Sequence, residues 1–405
     1  MNIAFVSYEY PQETGGGGIG TYLQQTVLLL EQAGHNSTVI CATHGSNEFW
    51  ENRNVYRFPA KNWKEFDDKL PSHFEKLHAI NPFDVIEGTD FGSCGLRLKQ
   101  EFPSLPLVVR LHTPLYLVDR LLFQPLSFLE KLRFSVGSLI RLKRPRLPEP
   151  PAANNYKSEF AIIEVADRVS SPGKSIYEKM IDLGFAVKGK TDFVPLSVRP
   201  AREIFEIEPR TSLDDRPRIG YIGRLEKRKG VIELAKAIPK VLKKYPHAEF
   251  TFIGKASQSP NRTLDMEQYL KLLLKKHVKN VRFTGPVPHN EVREYLNSID
   301  IFVFPSHYES FGIACCEAMA AGKAVIGSKE GGMAEIINQE CGRLVAPHSA
   351  EDIGKEVLNL IENDNLRLSL GKHARARILK DFSGEYVIPL QLACYRKAMN
   401  SVGKD

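Results

Sequence analysis

The stretch PSHYESFGIACCEAMAAGKAVIGSKEGGMAEII, residues 305–337, carries the pattern that decides the fold. The apolar strand IDIFVFPS runs into it, a loop follows, and a helix is predicted over 313–321 before the next apolar run, KAVIGS. Glu309 stands in the loop just past the strand, and Glu317 lies eight residues later, about two helical turns on. Strand, loop, helix and strand in this order form one unit of a parallel sheet with helices on its faces.

The same alternation extends through the rest of the chain in two series. The first contains a strand at 3–7, the glycine-rich loop TGGGGIG, a helix at 21–33 and a strand at 37–41, which together form a βαβ unit. Its later strands are predicted in FDVIEG, PLVVRLH, DRVSSP and TDFVPLSV. The second series starts at RIGYIGRLEKRKG and continues through helices at 230–244, 264–276 and 290–297. The predicted fold class is therefore α/β, with two Rossmann-like, doubly wound domains.

Length and composition agree with two globular domains. A chain of 405 residues is long for one core, because interiors stop growing at roughly 250–300 residues. Hydrophobic residues make up 42% and charged residues 25%, which excludes a disordered class. The segment 196–218 is rich in proline and charge without clear periodicity, and we interpret it as the connection between the domains.

Charge and cysteine usage limit the cellular setting. The net charge of +7 fits an anionic substrate, a nucleic acid or an anionic membrane surface and does not choose among them. None of the six cysteines forms a CxxC pair, and no Cys/His cluster has zinc spacing, which favours the reducing cytosol. The N-terminus MNIAFVSYEY is unlike a signal peptide, and no run of about 18 apolar residues is present. The expected location is cytoplasmic.

The segment 115–151 departs from the alternation and is rich in Lys and Arg. One interpretation is contact with a lipid-linked acceptor or with the inner face of a membrane. The other is a helical lid with a solvated basic face, and this is favoured because basic helices are common on protein surfaces.

The glycine loop, residues 15–20, follows a strand and opens a helix. Backbone amides at a helix N-terminus suit a phosphate or a sugar hydroxyl. The loop lacks the GK[ST] ending of a P-loop, and no acidic residue ends the second strand near Cys41, as a nicotinamide site requires. A plain tight turn stays an open alternative.

The turn GRLEKRKG places two cations between a strand and a helix. Arg224 offers a bidentate fork to phosphate oxygens, and Lys229 offers a mobile point charge. The alternative is a solvated charged turn that also contains Glu226, Lys227 and Arg228. This segment alone does not decide between them.

The two glutamates of 305–337 suit a sugar ligand. A carboxylate that accepts hydrogen bonds from two vicinal hydroxyls is a good partner for a ribose or hexose. The backbone amides of Phe311 and Gly312, at a helix start, suit a phosphate, and Gly331–Gly332 repeats that arrangement before a further helix.

Taken together, these motifs resemble the retaining GT-B glycosyltransferases of the large family four, the glycosyl transferases group 1. The likeness is carried by the G-R-L…K-G turn at 223–230, by Glu309 and Glu317 with seven residues between them, and by Gly331, Gly332 and Glu335. The GPVPHNEV segment from Gly285 also matches the turn beside the nucleotide base. The general character is that of bacterial exopolysaccharide or envelope polysaccharide enzymes.

The resemblance implies roles for the C-terminal half. Arg224 and Lys229 would hold the donor diphosphate, and Glu317 would bind the ribose hydroxyls. Glu309 would hold the donor sugar, and backbone near Val287 would contact the base. The remaining implied donor contacts are Ser310, Phe311, Gly312 and Ile313.

In the N-terminal half the resemblance implies that Gly17 and Gly18 approach the donor phosphates or the acceptor. His112, in RLHT, matches a family histidine near the 6-hydroxyl of the sugar. Two departures, Leu196–Ser197 in place of Asn-Gly and the long insertion after His112, put the acceptor in doubt more than the donor.

The implied domain organisation follows. Residues 1–196 would bind the acceptor, 197–383 would bind the nucleotide-sugar, and a helix at about 384–405 would pack back on the first domain. The sequence has no D-x-D motif after a strand, and Asp67–Asp68 and Asp214–Asp215 have the character of surface residues. We therefore expect neither a metal ion nor another cofactor, and no nucleic-acid partner.

The implied reaction is hexosyl transfer, with UDP-glucose as the commonest donor, to a saccharide or lipid-linked acceptor. Retention comes from the likeness, and no convincing carboxylate nucleophile is present, which favours a same-face mechanism. The alternatives are a nucleotide-sugar epimerase, a phosphorylase with a pyridoxal lysine, a dinucleotide oxidoreductase and a non-catalytic nucleotide-sugar-binding protein.

Overall fold

The predicted α/β class with two Rossmann-like domains is confirmed. The structure, a computed structural model, describes residues 1–14, 17–123, 131, 147, 149–288 and 291–402. Two separate sheets are present, one of eight strands and one of six. Buried apolar runs such as IFVF at 301–304 form the central strands, as expected where helices cover both faces of a parallel sheet.

The N-terminal sheet has the strand order β3-β4-β2-β1-β5-β6-β7-β8. Its strands are β1 (Asn2–Val6), β2 (Asn36–Thr43), β3 (Phe49–Asn52), β4 (Val55–Pro59), β5 (Val85–Thr89), β6 (Leu107–Arg110), β7 (Arg168–Ser171) and β8 (Thr191–Phe193). The pairing of β3 with β4 is antiparallel, which the sequence analysis did not predict. All residues of β3 are exposed, so its sequence lacks the alternation of apolar and polar residues from which a strand is predicted.

Helices connect these strands. They are α1 (Gly18–Gln32), α2 (Trp63–Ile80), α3 (Leu96–Glu101), α4 (Leu115–Leu122), α5 (Lys157–Val165), α6 (Lys174–Asp182) and α7 (Arg202–Phe205). Helix α1 begins three residues earlier than predicted, so Gly18 and Gly20 belong to its first turn. Helix α7 gives the predicted connection a structured centre, where Ile204 and Ile207 are buried.

The C-terminal sheet has the order β11-β10-β9-β12-β13-β14. Its strands are β9 (Arg218–Ile222), β10 (Glu249–Ile253), β11 (Val281–Phe283), β12 (Ile301–Phe304), β13 (Ala324–Ser328) and β14 (Arg343–Val345). Its helices are α8 (Val231–Lys244), α9 (Met266–Leu273), α10 (Val292–Ser298), α11 (Ile313–Ala320), α12 (Met333–Ile336), α13 (Ala350–Glu362) and α14 (Asp364–Asp381).

The last helix, α15 (Gly384–Ser401), returns to the N-terminal domain. It contacts α1 and the strands β5, β6 and β7. Tyr395 of this helix is fully buried there. The packing of α15 on the N-terminal domain explains why the two domains share a continuous cluster of buried apolar side chains. The domain boundaries at 196/197 and 383/384 remain a prediction.

The strand orders decide where a ligand site can form. In the first sheet β1 lies between β2 and β5, and in the second β9 lies between β10 and β12. At such a switch point the two loops leave in opposite directions and open a crevice beyond the carboxyl ends of the strands. The glycine loop follows β1, and the charged turn GRLEKRKG follows β9, so both lie at switch points.

Part of the basic segment 115–151 lies outside the described residues. Helix α4 covers Leu115–Leu122, whereas Arg133, Arg141, Lys143, Arg144 and Arg146 are not among the residues that the structure describes. The two interpretations of this segment, membrane contact and the favoured helical lid, therefore both stay predictions. Across the described ranges, no helix combines the length and apolar character needed to cross a membrane.

Candidate active site between the two domains

The loops after β9 and β12 come together because these strands are neighbours in the sheet. The ammonium of Lys229 and the carboxylate of Glu309 form an ion pair between these loops. Both side chains are mostly buried, with 17% and 16% of their surface exposed. The structure therefore brings together two residues that lie eighty positions apart in the chain.

Burial and charge act oppositely on this pair. Burial lowers the pKa of Lys229, and attraction to Glu309 offsets only part of that effect. Burial raises the pKa of Glu309, but the charges of Lys229 and Arg228 outweigh it and the net pKa is lowered. The carboxylate is therefore ionised at neutral pH and can accept hydrogen bonds from hydroxyl groups.

Arg228 is a site residue that sequence reasoning missed. It is buried and donates to the Glu226 carboxylate at 2.7 Å and to the backbone carbonyl of Tyr308 at 3.2 Å. Its own carbonyl accepts from the amide of His307 at 2.7 Å. The alternative of a solvated charged turn is thus wrong for Glu226 and Arg228, which fasten the turn to the loop after β12. In the sequence, the alternating charges of this turn do not indicate that Glu226 and Arg228 are buried.

Arg224 lies in the same turn but faces solvent, with 62% of its side chain exposed. Its Nη2 atom is 3.9 Å from the Glu226 carboxylate. It also acts across the domains: burial raises the pKa of Glu9, in the loop after β1, and the charge of Arg224 opposes that rise. A mobile cation at the mouth of the crevice is available to an incoming anion.

The glycine loop of the N-terminal domain faces this turn. A Cβ added at Gly17 would have Glu9 Oε2 as its nearest neighbour, at 4.0 Å. A Cβ at Gly18 would lie 4.0 Å from Cδ1 of Ile313, at the start of α11. Both glycines are exposed. The N-termini of α1 and α11 therefore approach each other from the two domains, and Gly15 and Gly16 lie outside the described residues.

Close packing shapes the loop that carries Ser310, Phe311 and Gly312. Gly312 has a φ of +136°, and a Cβ there would strike Met333 at 2.3 Å. The amide of Gly332 donates to the carbonyl of Glu309 at 2.6 Å. Gly331–Gly332 therefore supports this loop, and the expectation that its amides offer a second phosphate site is wrong for Gly332.

The other predicted donor residues lie on neighbouring elements. Glu317 lies in α11 with 6% of its surface exposed, facing the protein interior. Val287 is partly buried and packs against the core cluster shared by the domains. Their predicted contacts with ribose and base stay predictions.

Glu335, the last residue of the G-G-x-x-E element, joins the two domains. Its carboxylate accepts from the amides of Lys174 and Ser175 at 2.8 and 2.7 Å, at the N-terminus of α6. Charge at a helix N-terminus is favourable, so this contact stabilises the observed arrangement of the domains.

His112 follows β6 on the N-terminal side of the crevice. Burial and the neighbouring Arg110 lower its pKa to about 3, so the imidazole is neutral at physiological pH. Its Nε2 atom is buried and has no hydrogen-bond partner among the described residues. Its backbone amide donates to Asp90 at 2.9 Å, and its ring lies 5.3 Å from that of Tyr22. A buried, unpaired nitrogen is a candidate partner for a ligand hydroxyl.

A buried polar network that the sequence analysis missed supports this region. The Glu87 carboxylate accepts from the hydroxyls of Tyr22 and Tyr395, each at 2.6 Å. Gln391 donates to the Tyr395 hydroxyl at 2.6 Å. The network links α1, β5 and α15, and no local motif could reveal it because hydrogen-bonded members such as Gln391 and Tyr22 lie 369 positions apart.

Asp67 corrects the interpretation of the acidic pairs. Its carboxylate accepts from the amides of Gly95 and Arg97 at 3.0 and 3.3 Å, at the start of α3. Burial raises the pKa of Asp67 to about 6. It is therefore a partly buried helix cap and not a surface residue, whereas Asp68 is exposed as expected.

Part of the chain matches a known protein family. Residues 203–377 match the family model described as Glycosyl transferases group 1. The glycogen synthase of Mycobacterium tuberculosis is 31% identical over 191 residues, which cover 45% of this chain and 44% of that protein. The chain thus matches less than half the length of that relative. An uncharacterised glycosyltransferase of Methanocaldococcus jannaschii is 26% identical over 428 residues and is covered completely, as is this chain.

Solved structures share the fold over the whole chain. Sucrose-phosphate synthase from Thermosynechococcus elongatus has a TM-score of 0.73 at 21% identity, with 99% of both chains covered. The Anabaena protein HepE, solved in complex with UDP-glucose, has a TM-score of 0.66 at 15% identity, with 99% of this chain and all of that chain covered. Because the family model is one of glycosyltransferases, an epimerase is not favoured. Residues 203–377 are therefore similar to the Glycosyl transferases group 1 family, and the whole chain has the two-domain GT-B fold of glycosyltransferase structures.

Proposed function

We propose that this chain is a retaining glycosyltransferase that moves glucose from UDP-glucose to a hydroxyl of a saccharide or lipid-linked acceptor, in polysaccharide biosynthesis. The observation that carries the proposal is the Lys229–Glu309 ion pair, in the domain whose helix α11 begins beside the glycine loop of the other domain. One crevice thus offers a cation for phosphate, a carboxylate for hydroxyls and a glycine surface for close approach.

The donor diphosphate is the part of the ligand that this charge pattern suits best. Lys229 and the exposed Arg224 supply two positive charges beside the N-terminus of α11. Negative charge grows on the diphosphate as the bond to the sugar breaks, and preplaced cations stabilise that charge without reorganisation. We therefore propose that no divalent ion takes part in the transfer.

UDP-glucose is proposed as the donor from the family likeness and from the UDP-glucose complex of HepE, which has the same fold. Glu309 would accept hydrogen bonds from the sugar hydroxyls and Glu317 from the ribose hydroxyls. His112 would bind a sugar hydroxyl through its unpaired Nε2 atom as a neutral group, because a pKa of about 3 leaves it uncharged.

The proposed chemistry is a same-face substitution. The bond between the anomeric carbon and the phosphate oxygen breaks, and the acceptor oxygen forms a new bond to that carbon on the same face. The acceptor proton passes to the departing phosphate oxygen, so the protein supplies position and charge and forms no covalent intermediate. Closure of the two domains would exclude water from the reacting atoms.

Arg224→Ala tests the role of the charged turn. Its side chain is 62% exposed, so the free energy of unfolding should change by no more than about 0.5 kcal/mol. We expect kcat/KM to fall about 100-fold or more, because one charge-stabilising contact is worth that much. Arg216→Ala, an exposed arginine of the same domain, is the matched control and should keep full activity.

Lys229→Ala should reduce turnover at least as strongly, with Lys236→Ala as the exposed control in the next helix. Wild-type kcat/KM in both Arg224→Ala and Lys229→Ala would overturn the assignment.

Thermal shifts with UDP-, GDP- and ADP-sugars would identify the donor, because a ligand that binds the native state stabilises it. Stimulation of chelator-treated enzyme by Mg²⁺ or Mn²⁺ would contradict the metal-free mechanism.

A further inference from the structure

Behind the charged turn, three side chains from different elements converge. Glu233 lies in the first turn of α8, His307 in the loop after β12, and His348 in the turn between β14 and α13. One ligand atom from each side chain lies within 4.8 Å of the other two. Among the described residues, these three side chains are the group of His, Cys, Asp or Glu that lie close enough together to bind one metal ion.

The distances suit a small tetrahedral ion. Nε2 of His307 lies 3.1 Å from a carboxylate oxygen of Glu233. Two ligands that are each about 2.0–2.1 Å from a tetrahedral zinc ion lie roughly 3.3 Å apart. The rings of His307 and His348 have centroids 3.7 Å apart at an angle of 43°. Small side-chain rotations would therefore direct all three ligand atoms at one point.

The backbone at His348 gives an independent indication. The amide of Ser349 donates to the carbonyl of Ala346, which closes a turn with Pro347 and His348 at its centre. His348 has a φ of +63°, at a turn position where glycine or asparagine is usual. A residue held in the left-handed region at some energetic cost is often placed there for function. In this turn it directs an imidazole at Glu233 and His307, although His348 itself is exposed.

Charge and burial favour a cation between these groups. The side chains of Glu233 and His307 are 12% and 9% exposed, so few waters compete for them. Glu233 supplies one negative charge, and two imidazoles with one carboxylate are a frequent zinc ligand set. Lys227 lies near His348 and opposes a cation, which the carboxylate compensates.

We propose that Glu233, His307 and His348 bind one Zn²⁺ ion, with water as a fourth ligand. The ion fastens α8, the loop after β12 and the turn after β14 to one another. Since the amide of His307 donates to the carbonyl of Arg228, the ion also steadies the turn that carries Lys229. The proposal is independent of the proposed function, because no step of the transfer uses this ion.

Zinc titration of the chelator-treated, dialysed full chain tests the site. Calorimetry should give about one Zn²⁺ per chain, and Co²⁺ should give the visible absorption of a tetrahedral complex. Glu233→Gln and His348→Asn should each weaken Zn²⁺ binding about 100-fold or more, since loss of even an outer contact costs 10–100-fold. Zn²⁺ should also raise the Tm of the wild type and not that of the variants.

His247→Asn is the matched control, because His247 is an exposed histidine of the same domain. It should bind Zn²⁺ as the wild type does. The Glu233→Gln side chain has nearly the same shape and can still form a hydrogen bond with His307, so we expect this variant to fold. A far-UV circular dichroism spectrum like that of the wild type would confirm it. Absence of stoichiometric binding by the wild type, or equal binding by wild type, Glu233→Gln and His348→Asn, would overturn the proposal.

Discussion

The two sides of the crevice treat buried charge differently. On the C-terminal side, the Glu309 carboxylate is paired with the Lys229 ammonium, and its pKa is lowered despite burial. On the N-terminal side, the carboxyls of Asp90 and Glu159 are held by backbone amides, and burial raises the pKa of each to about 7. The carboxyl on the C-terminal side is thus ionised and paired, whereas these two carboxyls on the N-terminal side have pKa values raised to about 7.

This difference fits the two halves of a transfer reaction. A nucleotide diphosphate carries permanent charge, so its site benefits from cations that are already in position. A sugar hydroxyl is neutral, and a neutral group such as the His112 imidazole, proposed to bind a hydroxyl of the donor sugar, binds it without burying an unpaired charge. The Lys229–Glu309 pair therefore favours the proposed diphosphate site on the C-terminal side, and the neutral His112 favours the proposed contact with a sugar hydroxyl on the N-terminal side.

The largest expected loss of stability is at Gly332, a glycine that packs closely against the backbone of a neighbouring loop. A Cβ at Gly332 would lie 2.4 Å from the carbonyl oxygen of Ser310 and 2.8 Å from Cα of Phe311. Because these neighbours are backbone atoms, they cannot move aside as a flexible side chain does. Gly332→Ala should therefore lower the free energy of unfolding by about 1–3 kcal/mol, measured by urea denaturation. An unchanged midpoint would show that the loop carrying Glu309 adapts freely.

Gly17→Ala should have a smaller effect, and on activity alone. Its added Cβ would meet nothing closer than 4.0 Å, and a φ of −95° is open to alanine. We expect the free energy of unfolding to stay within about 1 kcal/mol of the wild type. If this loop contacts the donor or acceptor, the new methyl should lower kcat/KM about tenfold or more. Steady-state kinetics with unchanged activity would remove Gly17 from the site.

The same division decides what the sequence could reveal. The C-terminal elements Arg224–Lys229 and Glu309–Glu317 are short local patterns after strands, so strand–loop–helix periodicity placed them correctly at a switch point. The burial of Arg228 was missed, because its partner atoms on Tyr308 and His307 come from a loop that is distant in sequence.

On the N-terminal side the distant contacts dominate. Asp90 supports His112 through a backbone amide, and Glu159 accepts from the amide of Leu115 at 2.7 Å. Nothing in the residue types around these carboxyls indicates that they are buried. In the C-terminal domain, the proposed zinc ligands are likewise more than forty positions apart in the chain, so a search for metal-ligand spacing along the chain does not detect them.

A further expected effect is the pH dependence of stability that the raised pKa of Asp90 produces on the N-terminal side. Burial raises the pKa of Asp90 to about 7, against about 3.9 in an unfolded chain. Between roughly pH 4 and 7 the folded state therefore binds more protons at this site than the unfolded state, so its contribution to stability is lost as pH rises. Glu159 acts in the same direction, whereas His112, with its lowered pKa, acts oppositely between about pH 3 and 6.5.

Asp90→Asn removes the titration and keeps an oxygen that can accept from the amide of His112. The variant is expected to lose stability at every pH, because its amide group enters a position where the Oδ2 atom has no partner among the described residues. That loss should be largest near pH 4–5 and shrink above pH 7, where the wild type no longer benefits from a protonated Asp90. Urea unfolding at several pH values measures the difference, with the exposed Asp182→Asn as a control that should show no such trend. A loss that is constant with pH would mean that Asp90 is already ionised in the folded protein, and the contrast between the carboxyls of the two sides of the crevice would then no longer hold.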